Sequence, residues 1–307
     1  MKYPKQLQFI KNDKLKQHTS NLRIDGKWTV VSGSSSGIGL STLNKFASMG
    51  SNLIMVVRNE EKSKPIQQQI IDTYGVNVDI VIADFADFDS VRHAAEVIID
   101  KYPKIDYLIN SVGIHQTKKS ISKHGIEMVY TVNHLSVLLF TILLIPKLKE
   151  SAPSRIIQVN SEGHRFYAPK LNDLNFKKHI YTGLRSYGAS KTAQLYSVYE
   201  LARRLEKDDV TVVAMHPGAV KTHIGQNNGF LYRFFFKHVT SHFLKDVKIS
   251  SDAIHYLATD PSIVSETGKF FNLTILEEPA SHATKKEMQK AVWTSSLEAI
   301  NLSEDML

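Results

Sequence analysis

Short apolar runs alternate with longer amphipathic stretches along most of the 307-residue chain. The runs are apolar throughout rather than alternating, which is typical of strands covered on both faces. They lie at 27–32, 52–57, 78–83, 105–109, 155–159 and 210–215. The helix-like stretches lie at about 38–49, 63–74, 88–102, 126–149 and 186–207, and Gly75 is expected to end the second of them. Strands joined by crossover helices predict a doubly wound α/β fold, with a mostly parallel sheet of about seven strands and helices on both faces.

The chain shows no internal repeat and no linker, so we predict one domain over residues 26–307. Residues 1–25 are interpreted as a polar, lysine-rich extension without the apolar stretch of a signal peptide or anchor. The longest apolar run, residues 137–145, ends at Pro146. It is too short to cross a bilayer, which needs about 20 apolar residues, and is interpreted as a buried helix. We expect a protein that is cytoplasmic or peripherally associated with an intracellular membrane.

The amino-acid composition excludes several kinds of catalytic and binding site. The absence of cysteine excludes disulfides, thiolate catalysis and cysteine-ligated metal sites. The net charge of +8 is attributed to a solvated basic surface, because no segment interleaves basic and aromatic residues as nucleic-acid modules do. His134, His164 and His216 lack the spacing of metal ligands. We therefore predict no nucleic-acid partner and no metal site.

A glycine-rich turn lies between the first strand and the first helix, with the spacing Gly-x-x-x-Gly-x-Gly. Glycine lets the backbone turn sharply and lets a pyrophosphate approach closely. The helix N-terminus then offers free N–H groups and the positive end of the helix dipole. This placement predicts a Rossmann-type nucleotide site, formed by Gly33, Ser35, Ser36, Gly37, Ile38 and Gly39.

Arg58 follows the second strand, at the position that faces the adenosine ribose in a Rossmann unit. Arginine suits a 2′-phosphate, with a charge-assisted contact worth roughly 1.5–3 kcal/mol. We predict NADP(H), with NAD(H) and an ordinary surface arginine as alternatives. Asp84 is expected either to accept from the adenine amino group or to cap the next helix, for which Asp87 competes. Asn110 and Gly113 follow the fourth strand, at the edge where ligands bind.

Tyr187 and Lys191 are four residues apart and share one face of a helix. An ammonium beside a phenol lowers the phenol's pKa from its ordinary value of about 10 and suits it to proton exchange. Ser161 follows the fifth strand, where its hydroxyl can donate to a substrate carbonyl, with a turn or cap role as the alternative. Asn133 is mid-helix, and we expect it either to distort the helix and hold a water beside Lys191 or to be a satisfied core group.

In these residues the chain resembles the short-chain dehydrogenase/reductases over nearly its whole length. The resemblance is carried by Ser32–Gly33, Gly37–Gly39, Asp84, Asn110–Gly113, Asn133, Ser161, Tyr187, Lys191 and Pro217–Gly218. Segments 57–59, 132–135, 151–156 and 216–222 are similar to the retinol dehydrogenase branch. The chain departs from the family at Asn160, where a serine often precedes the catalytic one.

The resemblance implies a catalytic tetrad. Ser161 would orient the carbonyl, Tyr187 would transfer the proton, Lys191 would lower the pKa of Tyr187 and bind the nicotinamide ribose, and Asn133 would hold a water of the proton relay. The nicotinamide site would also include Pro217, Gly218, Val220 and Thr222. A homodimer formed by the two long helices is expected from the family alone.

A substrate lid is predicted near 222–248, where five aromatic residues at 230–236 suit an apolar substrate. They also suit a helix core or peripheral membrane contact. The resulting hypothesis is an NADP(H)-dependent oxidoreductase that interconverts a lipophilic aldehyde or ketone, such as a retinoid or steroid, and its alcohol. The alternatives are a catalytically weak NADP(H)-binding regulatory protein and an NAD-dependent alcohol dehydrogenase.

Overall fold

The computed structural model describes residue 12, residues 15–219 and residues 246–304. The predicted lid near 222–248, except for its last three residues, lies outside the described residues, as do the predicted site residues Val220 and Thr222.

One sheet forms the centre of the molecule. Within the described residues its strands are β1 (Trp28–Ser32), β2 (Asn52–Val57), β3 (Val78–Ile82), β4 (Tyr107–Asn110), β5 (Ser154–Val159), β6 (Val210–His216), β7 (Lys269–Asn272) and β8 (Ile275–Leu276). Their order is β3-β2-β1-β4-β5-β6-β7-β8. All neighbouring pairs are parallel except β7 and β8, which are antiparallel. The predicted mostly parallel Rossmann sheet is confirmed, with a short antiparallel strand added at one edge.

Helices cover both faces of the sheet, as predicted. They are α1 (Gly37–Ser48), α2 (Glu60–Tyr74), α3 (Phe88–Lys101), α4 (Met128–Glu150), α5 (Gly183–Arg204), α6 (Lys248–Thr259) and α7 (Lys286–Ala299). Two apolar cores result, because buried strand residues contribute to both faces. One core includes α3, α4, α5 and α7, and the other includes α1, α2 and α6. The four elements after residue 246 were not located from the sequence pattern.

Local capping explains where two helices begin earlier than predicted. The side chain of Asn59 accepts a hydrogen bond from the Lys62 amide at 2.9 Å, so α2 begins at Glu60. Thr182 caps α5 in the same way, with its hydroxyl accepting from the Arg185 amide at 3.1 Å. As expected, α2 ends at Gly75, which is left-handed with φ of 68°.

Helix α4 contains the apolar run and spans 23 residues. Among the described helices, it alone is long and apolar enough to cross a membrane by length and composition. However, 89% of its most apolar window is buried inside the molecule, between other elements of the core. This burial agrees with the interpretation of the run as a core helix.

The described part of the N-terminal extension lies against the C-terminal part of the domain. The Gln17 side-chain oxygen accepts from the Thr274 amide at 3.0 Å, and the His18 ring stacks on Tyr256. Ile24 is buried in the core that includes α1 and α6. Residues 15–25 are therefore packed on the domain, although their composition is polar.

Candidate active site

A cavity of about 710 Å³ opens at the carboxyl end of the parallel strands. In an open α/β sheet this edge is where ligands bind. Most residues predicted for the site line this one cavity: Gly33, Ser35, Ser36, Gly37, Ile38, Gly39, Arg58, Asp84, Gly113, Ser161, Tyr187, Lys191, Pro217 and Gly218. The fold therefore brings together segments that are up to 185 positions apart in the sequence.

Two predicted residues lie behind the cavity wall. Asn110 is fully buried, and its amide donates to the Thr141 hydroxyl at 2.8 Å, so its side chain supports the strand ends. Asn133 is fully buried as well and is not part of the wall. The neighbouring Ser111–Gly113 segment lines the cavity instead.

The glycine turn has the shape of an anion cradle. Gly33 and Gly37 have positive φ values of 68° and 55°, which favour glycine. A Cβ on Gly39 would lie 2.4 Å from the Gly33 carbonyl oxygen, so strand and helix meet too closely there for any side chain. Helix α1 has no acidic residue in its first turn, and the Ser36 side chain does not cap it. Its first backbone N–H groups are therefore suited to bind a phosphate, and the residues of the turn fit a dinucleotide.

Arg58 and Asp84 occupy the part of the wall next to the turn. Arg58 is exposed and lines the cavity just after β2, as an arginine for a ribose phosphate must. The carboxylate of Asp84 accepts from the Ala86 amide at 3.0 Å, whereas Asp87 caps α3 by accepting from the Asp89 amide. The capping alternative for Asp84 is thus wrong, because Asp87 performs that role.

Ser161 begins a single 3-10 turn, Glu162–Arg165, directly after β5. Its hydroxyl oxygen accepts from the Gly163 amide at 3.0 Å, which leaves the hydroxyl hydrogen to donate to a ligand in the cavity. The Ser161 amide donates to the side-chain oxygen of Asn160 at 2.8 Å. The hydroxyl oxygen of Ser161 thus caps the turn, as the alternative proposed, while its hydrogen remains available for the predicted bond to a substrate.

Tyr187 and Lys191 lie on α5, with the amine 5.6 Å from the centroid of the phenol ring. Lys191 is 3% exposed and donates to the Val159 carbonyl and to the Gln194 side-chain oxygen, both at 3.0 Å. Burial lowers the pKa of Lys191 to about 7, because a desolvated amine binds its proton less tightly. Lys191 is therefore buried, whereas Tyr187 is half-buried.

Asn133 lies at the centre of a π-helical turn, Thr131–Leu135, within α4. The predicted distortion of this helix is confirmed. The Asn133 amide donates to the Ile114 carbonyl and to the Ser190 hydroxyl, both at 3.0 Å, and its oxygen accepts from the Ile114 amide. The side chain thus ties α4 to the loop after β4 and to the helix that carries Tyr187.

Comparison with known proteins decides the family. The model of the family described as short chain dehydrogenase matches residues 27–229. The chain belongs to the short chain dehydrogenase family. Human retinol dehydrogenase 13 is 32% identical over 289 residues, which cover 92% of this chain and 87% of the relative. Mouse retinol dehydrogenase 14 is 32% identical over 284 residues, which cover 88% of this chain and 85% of the relative.

Solved structures share this short chain dehydrogenase fold. An uncharacterised protein of Mycobacterium paratuberculosis superimposes with a TM-score of 0.74 at 24% identity, covering 94% of this chain and 99% of its own. A short chain dehydrogenase of Shigella flexneri, complexed with NADP, superimposes with a TM-score of 0.66 at 20% identity, covering 83% of this chain and 99% of its own.

In this short chain dehydrogenase, sequence reasoning missed a histidine that supports the turn after Ser161. The Ala280 amide donates to His164 Nε2 at 3.1 Å, so Nδ1 carries the ring proton and donates to the Ser161 carbonyl at 2.8 Å. Burial lowers the pKa of His164 to about 3, which keeps the ring neutral. Its position three residues after Ser161 was the available signal, but Ala280 is 116 residues away in sequence.

Proposed function

We propose that this protein is an NADP(H)-dependent oxidoreductase that interconverts a lipophilic aldehyde or ketone and its alcohol. One observation carries the proposal: Ser161, Tyr187 and Lys191 line the same cavity as the glycine turn and Arg58. A hydroxyl donor, a phenol and a buried amine therefore share one space with a site suited to a dinucleotide.

The preference for NADP(H) is supported by charge. Arg58 is the exposed cation at the ribose end of the cavity, and a guanidinium binds phosphate oxygens better than it binds a neutral hydroxyl. The Shigella flexneri relative of the same fold was solved with NADP. When bound, the nicotinamide supplies or accepts the hydride.

The protein's own groups perform the acid–base part of this reaction. Ser161 donates its hydroxyl hydrogen to the substrate oxygen and holds the carbonyl in the cavity. Tyr187 gives a proton to the developing alkoxide in reduction and removes it in oxidation. Lys191 stabilises the phenolate form of Tyr187 through its positive charge. His164 holds the Ser161 turn, so the hydroxyl keeps its direction.

The wall near the reacting groups supports an apolar substrate. Ile114 and Met128 line the cavity as partly buried side chains, and the His115 ring meets the Tyr187 ring edge-on at 5.6 Å. Relatives at 32% identity are retinol dehydrogenases, which supports a small lipophilic alcohol or aldehyde. The predicted homodimer and peripheral membrane contact stay predictions.

The test is a steady-state screen with NADPH against retinal, steroid ketones and aliphatic aldehydes. We expect turnover of at least one class, and a loss of about 10²–10⁴-fold in Tyr187→Phe while NADPH binding is retained. Absence of turnover for every carbonyl, with NADPH still bound, would favour the regulatory alternative.

A second measurement addresses the cofactor. Arg58→Ala is expected to weaken NADPH binding about tenfold or more and to leave NADH binding within about threefold, because only NADPH carries the extra phosphate. Arg23→Ala is a matched control, since Arg23 is exposed but pairs with Asp25 away from the cavity wall. Equal losses for both cofactors in Arg58→Ala would contradict the assignment.

A further inference from the structure

Two buried amide side chains lie between the catalytic serine and the catalytic lysine. Asn160 directly follows β5, and Gln194 lies one turn after Lys191 on α5. Both side chains are buried, with 2% of each residue exposed. The Asn160 amide donates to the Gln194 oxygen at 3.1 Å, so the two side chains form a bridge. Neither was predicted to act in the site.

Each end of this bridge holds a catalytic group. The Asn160 oxygen accepts from the Ser161 amide at 2.8 Å, and its nitrogen also donates to the Lys191 carbonyl at 2.9 Å. The Gln194 oxygen accepts from the Lys191 amine at 3.0 Å. The strand end that carries Ser161 is thereby tied to the helix that carries Tyr187 and Lys191.

The orientation of the Gln194 amide follows from its partners. An ammonium can only donate and a backbone carbonyl can only accept, so the Gln194 oxygen must face Lys191 while its nitrogen donates to the Asn133 carbonyl. That carbonyl belongs to the π-helical turn of α4. Gln194 therefore joins the amine directly to the distorted turn of the neighbouring helix.

We propose that Asn160 and Gln194 are a positioning pair that holds the Lys191 amine in place and in its charged form beside Tyr187. The proposal rests on the proposed oxidoreductase function for its catalytic consequence. Two of the three ammonium hydrogens are held by the Val159 carbonyl and by Gln194, so tetrahedral geometry directs the third. The amide dipole of Gln194 favours the charged amine, which in turn favours the phenolate of Tyr187.

The surroundings of Lys191 make this acceptor important. Burial alone lowers its pKa, and no charged neighbour among the described residues raises it. Among the described residues, two titratable groups that contact the Tyr187 ring are Lys191 on the same helix and His115 from the loop after β4, and burial lowers the pKa of His115. Loss of the Gln194 oxygen should therefore lower the amine pKa further, so that less charged amine remains near neutral pH to favour the phenolate of Tyr187.

The test uses Gln194→Met, which keeps the side-chain length but removes both hydrogen-bonding groups. Tyr187 is titrated through tyrosinate absorbance, as the difference between each variant and the same variant carrying Tyr187→Phe. We expect less tyrosinate at about pH 7, where Lys191 is partly charged, and an upward shift of this part of the titration by about one pH unit. For alcohol oxidation we expect kcat at neutral pH to fall about tenfold with KM within about twofold, because the defect lies in proton transfer rather than substrate binding.

The control is Gln289→Met. Gln289 is also buried, and its oxygen accepts from Arg203, but it lies on α7 and does not line the cavity. It should leave the Tyr187 titration and the pH profile of kcat unchanged. An unchanged titration in Gln194→Met, or an equal shift in Gln289→Met, would overturn the proposal.

Two further measurements keep the result decisive. We expect Asn160→Ser to move the Tyr187 titration upward as well, so this variant replaces Gln194→Met if Gln194→Met does not fold. In the double variant the two effects on kcat should be less than multiplicative, since both act through one bridge; multiplicative effects would count against the pair. The tyrosinate titration needs no substrate, so it decides this proposal even if no carbonyl is turned over.

Discussion

The burial of Lys191 predicts that the stability of the fold depends on pH. In the folded protein burial lowers its pKa to about 7 from the ordinary 10.5. Between these two values the unfolded chain holds the proton and the folded chain largely does not, so the charged amine that favours the phenolate of Tyr187 is populated at about pH 7 and below. The free energy of unfolding therefore rises with pH across this window. As pH falls from about 10.5 to about 7, the folded protein loses stability, because the unfolded chain binds the proton more tightly.

The size of the effect follows from the same shift. Each pKa unit corresponds to about 1.4 kcal/mol, so the full shift amounts to about 5 kcal/mol in the protein without cofactor. Over two pH units inside the window the change should be about 2–3 kcal/mol. Lys191→Met removes the titrating group, so this part of the pH dependence should disappear.

The assay is urea unfolding of the apoprotein, followed by circular dichroism at about pH 7.5 and about pH 9.5. We expect the free energy of unfolding of Lys191→Met, taken relative to wild type, to be larger by about 2–3 kcal/mol at the lower pH than at the higher pH, because only the wild type is destabilised by the buried amine. Lys64→Met is the control, because Lys64 is half exposed on α2 and pairs with Glu60 and Glu61.

One result would refute the reasoning. If wild type and Lys191→Met have parallel pH dependences between these two values, the amine is not desolvated in the folded protein. The burial of the Lys191 amine beside Tyr187 would then not be a property of the folded protein in solution.

Two glycine positions give further predictions. In Gly39→Ala the new Cβ would lie 2.4 Å from the Gly33 carbonyl oxygen, and the backbone must shift, so NADPH affinity should fall at least about tenfold by fluorescence titration. In Gly163→Ala the Cβ would lie 2.7 Å from the Tyr187 ring and 3.3 Å from the Ser161 hydroxyl. This variant should lose about tenfold or more in kcat with NADPH affinity within about twofold, and a kcat equal to wild type would contradict the close packing.

Local signals in the sequence were sufficient where the structure depends on short-range order. The apolar runs located six strands of the sheet, and glycine placement located the turn after β1 and the end of α2. The spacing of Tyr187 and Lys191 placed both on one helix face. Because the strands are parallel, their ends had to meet at one edge, so the cavity residues could be grouped before the fold was known.

The sequence alone did not reveal the later elements or the supporting side chains. The strand β7 has four residues and β8 has two, and such short runs carry little periodicity. The role of Asp84 was left open because two aspartates were spaced to cap α3. Asn110 was predicted for the cofactor site, and only the tertiary structure shows that its side chain donates to Thr141.

The sequence by itself determined the doubly wound fold, the glycine turn and the serine, tyrosine and lysine of the site, because each depends on local spacing and on the direction of parallel strands. Only the tertiary structure decided how these groups are held. His164 depends on Ala280, and the bridge from Ser161 to Lys191 depends on Asn160 meeting Gln194. Such contacts join residues distant in sequence through packing, and no periodicity records them.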